Sequence, residues 1–150
     1  MNKKIIFDFD STLIKLETLD VLAEISLCND PQKEDKIKSI ELLTNYAMEG
    51  KISFSKSLDK RLKLLNPNKE HIKEAIPLLI NNLSESIKLN LDFFKDYKES
   101  IYVVSGGFKE IIIQVTRTLG ILDDNVFANS FIYNKNIVVG IDQNNLMSKD

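Results

Sequence analysis

The run Lys3-Lys4-Ile5-Ile6-Phe7-Asp8-Phe9-Asp10-Ser11-Thr12 decides how the rest of the chain is read. Lys3 to Phe7, rich in isoleucine, reads as a buried strand, since a strand covered on both faces has no polar positions to alternate. Two aspartates end it, where the chain must leave the sheet. They also argue against a leader or a membrane span. The lysines and isoleucines start like a signal peptide, but Asp8 and Asp10 interrupt the apolar core too early. Beyond this run, Leu16 to Ile80 reads as four helices. Leu19, Leu22, Ala23 and Ser26 mark the first, and Ile37, Ile40, Thr44, Ala47 and Met48 the second, stopped by Gly50. The third opens at the N-cap residue Ser53 and shows Phe54, Leu58, Leu62 and Leu65 on one face. The fourth starts near Asn68 and is expected to break or kink at Pro77.

After Asn81 the pattern changes. Leu83, Ile87, Leu91 and Phe94 predict one further helix, and Ile101 to Val104 a second buried strand ended by Ser105-Gly106-Gly107. Phe108 to Leu119 reads as a helix closed by Gly120, Val126 to Ala128 as a third strand, and Phe131 to Gly140 as a hairpin turning at Asn134-Lys135-Asn136. Strand, helix, strand, helix, strand is the grammar of a parallel α/β sheet. The helical stretch before the second strand is too long for a simple crossover. It reads as a cap (16–80) inserted into an α/β core (1–15 and 81–150), over the end of the sheet where such proteins bind ligands.

Composition sets the outer limits. The 150 residues are 43% hydrophobic and 28% charged, ordinary globular usage that excludes disorder and fibrous repeats. A net charge of −2 gives no general attraction to nucleic acid or anionic membrane, so no such partner is expected. One cysteine, Cys28, precludes an intrachain disulfide and fits a cytoplasmic location.

Chemistry concentrates at the strand ends. Asp8 and Asp10 are two apart, so on an extended chain their side chains point to the same side. One ionised carboxylate there can attack phosphorus. The other, its pKa raised by the neighbouring charge, can hold a proton for the leaving oxygen. A hard cation such as Mg²⁺ would offset charge between carboxylate and phosphate. Ser105-Gly106-Gly107 offers a hydroxyl and backbone N–H groups to a phosphate at the start of the next helix. Either motif alone could be an ordinary turn. Two such loops at corresponding ends of two parallel strands argue for a site. His71, within Lys69-Glu70-His71-Ile72-Lys73-Glu74, reads as part of a solvated helix face.

Asp8-Phe9-Asp10-Ser11-Thr12 resembles the first motif of the haloacid dehalogenase superfamily, and Ser105-Gly106-Gly107 resembles its second. Glu17, the run Ala47-Met48-Glu49-Gly50-Lys51 with Phe54 and Arg61, Val103 to Phe108 and Phe127-Ala128-Asn129 are similar to phosphoserine phosphatases. The resemblance implies an α/β fold of that superfamily with an inserted four-helix cap. It implies hydrolysis of O-phosphoserine through an aspartyl phosphate on Asp8, with Asp10 as general acid and base. Asp8 and the Asp10 carbonyl would bind Mg²⁺, and Ser105 and Gly106 would hold phosphate with the N–H groups of Phe9 and Asp10. Glu17 would meet the substrate ammonium, Arg61 its carboxylate, and Met48 and Phe54 would wall off water. The three charged groups of phosphoserine match a carboxylate, a guanidinium and a phosphate cradle. Phe54 and Arg61, seven apart, share one helix face.

The resembled pattern also contains a phosphate-binding lysine and a Gly-Asp-Gly-type metal motif beyond the last residue here. Lys149 lies near the expected lysine but is offset by a few residues. Asp123-Asp124 precedes the third strand and is a poor stand-in for the metal motif. The core is therefore expected to be incomplete at its C-terminus, with strand Lys3 to Phe7 as an exposed edge open to self-association. Phosphatase or phosphotransferase action on another small phosphomonoester, and a non-catalytic remnant or half of a split enzyme, stay open beside the phosphoserine reading.

Overall fold

The computed structural model describes residues 3–148. Its central sheet has the order β1-β2-β3, all parallel: β1 is Ile5–Phe7, β2 Ile101–Phe108 and β3 Val126–Asn129. Ile5 sits beside Ile101 and Phe7 beside Val103. As expected, β1 is an edge among the described residues; Ile6 is 66% exposed, whereas Ile5 and Phe7 are half-buried. Phe7 is sheltered by the Phe94 ring at 5.4 Å between centroids. The first strand is shorter than the Lys3 to Phe7 expected. Lys4 lies outside the ladder, its ammonium on the Tyr102 hydroxyl at 2.7 Å.

Four helices stand between β1 and β2: α1 (Thr18–Ser26), α2 (Lys33–Met48), α3 (Phe54–Leu65) and α4 (Lys69–Asn81). Ser53 caps α3 as expected, its hydroxyl accepting from Lys56 N–H. Leu58, Leu62 and Leu65 are buried on one face of it. Fully burying each leucine contributes about 1.5–3 kcal/mol relative to exposure. α4 departs from expectation, running unbroken through Pro77. Pro77 is exposed, so the carbonyl that loses its helical partner can turn to water.

The helix expected over Leu83 to Phe94 is two short ones, α5 (Glu85–Lys88) and α6 (Leu91–Asp96). Asn90 between them leaves the helical region at φ −125°, ψ 35°, and its amide donates to the Ser86 carbonyl at 2.7 Å. A local side-chain bond of this kind competes with helix continuation. Then α7 (Lys109–Thr116) returns after β2, extended by one 3₁₀ turn to Leu119 and ended by Gly120 at φ +77°. The hairpin β4 (Phe131–Asn134) and β5 (Ile137–Ile141) forms a separate antiparallel pair.

The two passages between sheet and helical insert run side by side. Ile14 and Leu83 form an antiparallel bridge, with Lys15 N–H on Asn82 O at 2.9 Å and Ser84 N–H on Leu13 O at 2.9 Å. The hairpin also grips the insert: Val138 N–H donates to Pro67 O and Lys69 N–H to Asn136 O. Among the described residues no helix is long and apolar enough to cross a membrane.

Candidate active site

A cavity of about 700 Å³ opens between the C-terminal ends of the strands and the helical insert. Asp8, Asp10, Glu17, Phe54, Arg61, Ser105 and Gly106 all line it. Seven of the eight residues singled out from sequence therefore meet in one place. Met48 does not. It ends α2 with 83% exposure, away from the cavity. The resemblance implied a place for it on the cavity wall, but α2 buries no residue completely and Met48, its last residue, stays in solvent.

The chain does not stay extended past Asp8, as the reading of Asp8 and Asp10 assumed. Residues Phe9–Leu13 make a single irregular helical turn in which Ser11 takes φ +54°. Asp8 keeps its carboxylate at the mouth of the turn, where Oδ1 accepts from Phe9 N–H at 2.7 Å. That bond occupies the Phe9 N–H expected to hold phosphate. Asp10 turns the other way, and its Oδ1 accepts from both Thr18 N–H at 2.9 Å and Thr18 Oγ1 at 2.5 Å. Its Oδ2 remains beside the glycine loop, 3.4 Å from where a Cβ on Gly107 would stand. Burial pushes the Asp10 pKa up, the Thr18 bonds oppose this, and Glu17 and Asp8 add smaller upward pushes. The direction matches expectation, but the principal cause is desolvation rather than the neighbouring charge.

On the opposite strand end, Ser105 is buried and its Oγ accepts from Gly107 N–H at 3.0 Å. Gly106 meets the insert directly: a Cβ there would be 2.8 Å from Phe54 Cζ, so only glycine lets the ring lie against the loop. Half-exposed Phe54 thus closes one side of the cavity over the serine–glycine segment.

The far wall belongs to the insert. Arg61 is 8% exposed, its Nη1 reaches Thr44 Oγ1 at 3.3 Å, and its buried Nε has no partner among the described residues. Burial lowers its pKa, and the charge of Asp20 opposes that shift. A guanidinium can pair with a carboxylate through two parallel N–H donors. Glu17 accepts the Ser11 hydroxyl at 2.5 Å and presents its charge to the same space. Sequence reasoning missed Thr18, Asp20, Glu41, Thr44 and Asn45 as site residues, and they line the cavity too. Only Thr18 carried a usable signal, as a hydroxyl next to Glu17 at the first turn of α1.

Lys149, the weak candidate for a phosphate-binding lysine, lies outside the described residues. Asp123 is taken by Arg117, in two bonds of 3.0 and 2.6 Å on the surface. It is no part of the cavity.

No family model matches the chain. A phosphoserine phosphatase of Methanocaldococcus jannaschii is 36% identical over 131 residues, 87% of this chain and 56% of that protein. A solved phospho-aspartyl intermediate analogue of phosphoserine phosphatase superposes with TM-score 0.68 at 32% identity, covering 92% of this chain and 62% of that one. The chain spans about half the length of the curated relatives it matches. The crystal structure of a phosphoserine phosphohydrolase-like protein from Francisella tularensis reaches TM-score 0.79 at 38% identity, covering 97% of this chain and 67% of that one. Likeness at that level, over nearly the whole of this chain, makes this a matter of kinship as well as of architecture: the chain belongs to the phosphoserine phosphatase family of the haloacid dehalogenase superfamily.

Proposed function

We propose that this cavity hydrolyses O-phosphoserine to serine and phosphate. One observation carries the reading: a carboxylate pair and a serine–glycine loop share a single cavity with a buried guanidinium whose Nε has no partner among the described residues. The first pair suits a phosphate and the last a carboxylate, so the substrate is small and carries both. Glu17 supplies the third contact, to an ammonium. Residues 16–80 act as the cap and residues 1–15 with 81–150 as the core that holds the phosphate.

In the first step an Asp8 carboxylate oxygen attacks phosphorus and the bond from phosphorus to the seryl oxygen breaks. Asp10 gives its proton to that oxygen, a task favoured by its burial. In the second step Asp10 takes a proton from water as the water oxygen attacks the aspartyl phosphate. The bond from phosphorus to Asp8 breaks, phosphate leaves and Asp8 is restored. Asp10 Oδ1 is already held by Thr18, so Oδ2, beside Gly107, is the atom that carries the proton. Ser105 and Gly106 hold the phosphate, and Phe54 keeps water from the loop.

Mg²⁺ fits the donors present. Asp8 and the Asp10 carbonyl are hard oxygen ligands, and this cation commonly needs only one or two protein carboxylates besides water and phosphate. Among the described residues no group of three or more His, Cys, Asp and Glu forms a ready-made metal cage. When bound, the cation offsets charge between carboxylate and phosphate. The lone, exposed Cys28 suits a reducing cytoplasm.

Two variants of the intact protein test the reading. Asp8→Asn should abolish turnover with little change in fold, and rapid quench with labelled substrate should trap phosphate on wild type but not on the variant. Arg61→Ala should cost about 2–5 kcal/mol in kcat/KM for phosphoserine and far less for p-nitrophenyl phosphate, which has no carboxylate. Equal losses on both substrates would point to a different phosphomonoester.

A further inference from the structure

We infer that Asn129 is a positioning residue for this reaction: acting through the Gly106–Gly107 peptide, it sets the Ser105 hydroxyl as a hydrogen-bond donor to the substrate phosphate. The inference rests on the phosphatase reading above and assigns how its phosphate loop is held.

The starting point is a mismatch between strands. Val104 pairs with Phe127 and Phe108 with Asn129, so β2 advances four residues while β3 advances two. The two surplus residues fall within the Ser105-Gly106-Gly107 segment, whose backbone groups lose regular ladder partners. Asn129, the last residue of β3 and fully buried, replaces one of them: its Nδ2 donates to Gly106 O at 2.9 Å. Gly106 C=O and Gly107 N–H belong to one planar peptide, so anchoring the carbonyl also aims the N–H. That N–H donates to Ser105 Oγ at 3.0 Å. The serine oxygen is thereby used as an acceptor. Its hydroxyl hydrogen has no acceptor among the described residues, and Ser105 lines the cavity, so that donor is left for a bound anion. A hydroxyl fixed in this sense donates to an anion without first reorienting.

Two further contacts keep Asn129 in place. Asn145 Nδ2 donates to Ala128 O at 2.8 Å, and Glu110 Oε1 accepts from Phe131 N–H at 2.9 Å, bracing the chain on either side of Asn129. The Asn129 side chain is a poor choice for stability alone. Its Oδ1 is buried without a partner among the described residues, an unmet acceptor that opposes folding. What the residue adds is the single bond to Gly106.

The test is a double-mutant cycle on the intact protein, with Ser105→Ala, Asn129→Leu and the pair combined. Leucine keeps the γ-branched outline of asparagine, though with bulkier methyl groups, and removes the amide donor. The measurements are kcat/KM for O-phosphoserine and the dissociation constant of inorganic phosphate, a probe that needs neither Arg61 nor Glu17. Asn129→Leu should weaken phosphate binding and lower kcat/KM by about 10- to 100-fold, the usual scale for residues that orient a ligating group. The double variant should be no worse than Ser105→Ala alone, since both changes remove the same donor. The ratio of kcat/KM for phosphoserine to that for p-nitrophenyl phosphate should stay at the wild-type value, because the arginine wall is untouched. Losses that multiply, or a wild-type-like Asn129→Leu, overturn the inference. Should Asn129→Leu not fold, Asn129→Ser puts the same question, since its hydroxyl is too short to reach Gly106. A harmless Ser105→Ala, or a wild type that binds no phosphate and cleaves no phosphomonoester, refutes the phosphatase reading itself.

Discussion

Glu110 shows how one carboxyl outside the cavity can set the acid behaviour of the fold. Oε1 accepts from Phe131 N–H, while Oε2 is buried with no partner among the described residues. Burial pushes its pKa above the ordinary 4.5; its own N–H, that of Phe131 and the charge of Lys109 oppose the shift. Tyr133, across the hairpin, has its phenol pushed upward by burial and then by this same carboxyl. A raised carboxyl pKa means the folded state binds the proton more tightly than the unfolded chain. The resulting stability is fully present below pH 4.5 and is lost as pH rises through the folded value. Glu110→Gln keeps an acceptor for Phe131 and removes the buried charge. It should raise the melting temperature at pH 7 and leave it nearly unchanged near pH 4. A lower melting temperature at pH 7 would show that the charge itself holds the hairpin. Little of this was legible beforehand, because burial of a single carboxyl depends on which loop lands on it. For Asp10 the raised pKa was anticipated, yet the dominant cause is enclosure by the insert. Two aspartates in sequence show their mutual charge but not their exposure.

Helix α4 carries two opposed features. At its start Asn68 and His71 close a reciprocal cap: Asn68 Oδ1 accepts from His71 N–H at 2.9 Å and His71 Nδ1 from Asn68 N–H at 3.3 Å. His71, read from its charged neighbours as solvated, is thus committed to the helix end; a histidine rather than Glu or Gln at that position hid the pattern. Asn68→Ala should cost about 0.5–2 kcal/mol by chemical denaturation. Inside the helix, Pro77 forfeits a backbone bond at an exposed position. Pro77→Ala should therefore stabilise the protein, by up to about 3 kcal/mol. No gain would mean that the preceding turn has settled around the proline. The third strand, α3, Gly50 and Gly120 were legible because apolar periodicity and end signals agree there. The split between α5 and α6 was not, because Leu83, Ile87, Leu91 and Phe94 keep helical spacing across Asn90, where the backbone departs from it.

Over the whole molecule, the parallel order and the inserted helices followed from the alternation of strand and helix patterns. The closeness of hairpin and insert did not. Gly140 lies so near Asp59 that a Cβ there would be 2.7 Å from its Oδ1, a contact that depends on two elements far apart in sequence. The edge strand has a measurable consequence for the 150-residue chain. With Ile6 66% exposed on a strand that has no second partner among the described residues, we expect self-association, and Ile6→Lys should return the light-scattering mass toward that of a monomer. A wild-type monomer at high concentration would contradict it. The paired passages at Leu13–Lys15 and Asn82–Ser84 carry a different kind of consequence. A segment that leaves and re-enters a fold through adjoining strands has its two ends almost touching, and a few residues suffice to join them. Such an insert is an interchangeable cassette: descent can lengthen it, replace it or delete it while the sheet beneath keeps its chemistry. A different cavity wall would then arise by exchanging the insert, without rebuilding the strand ends.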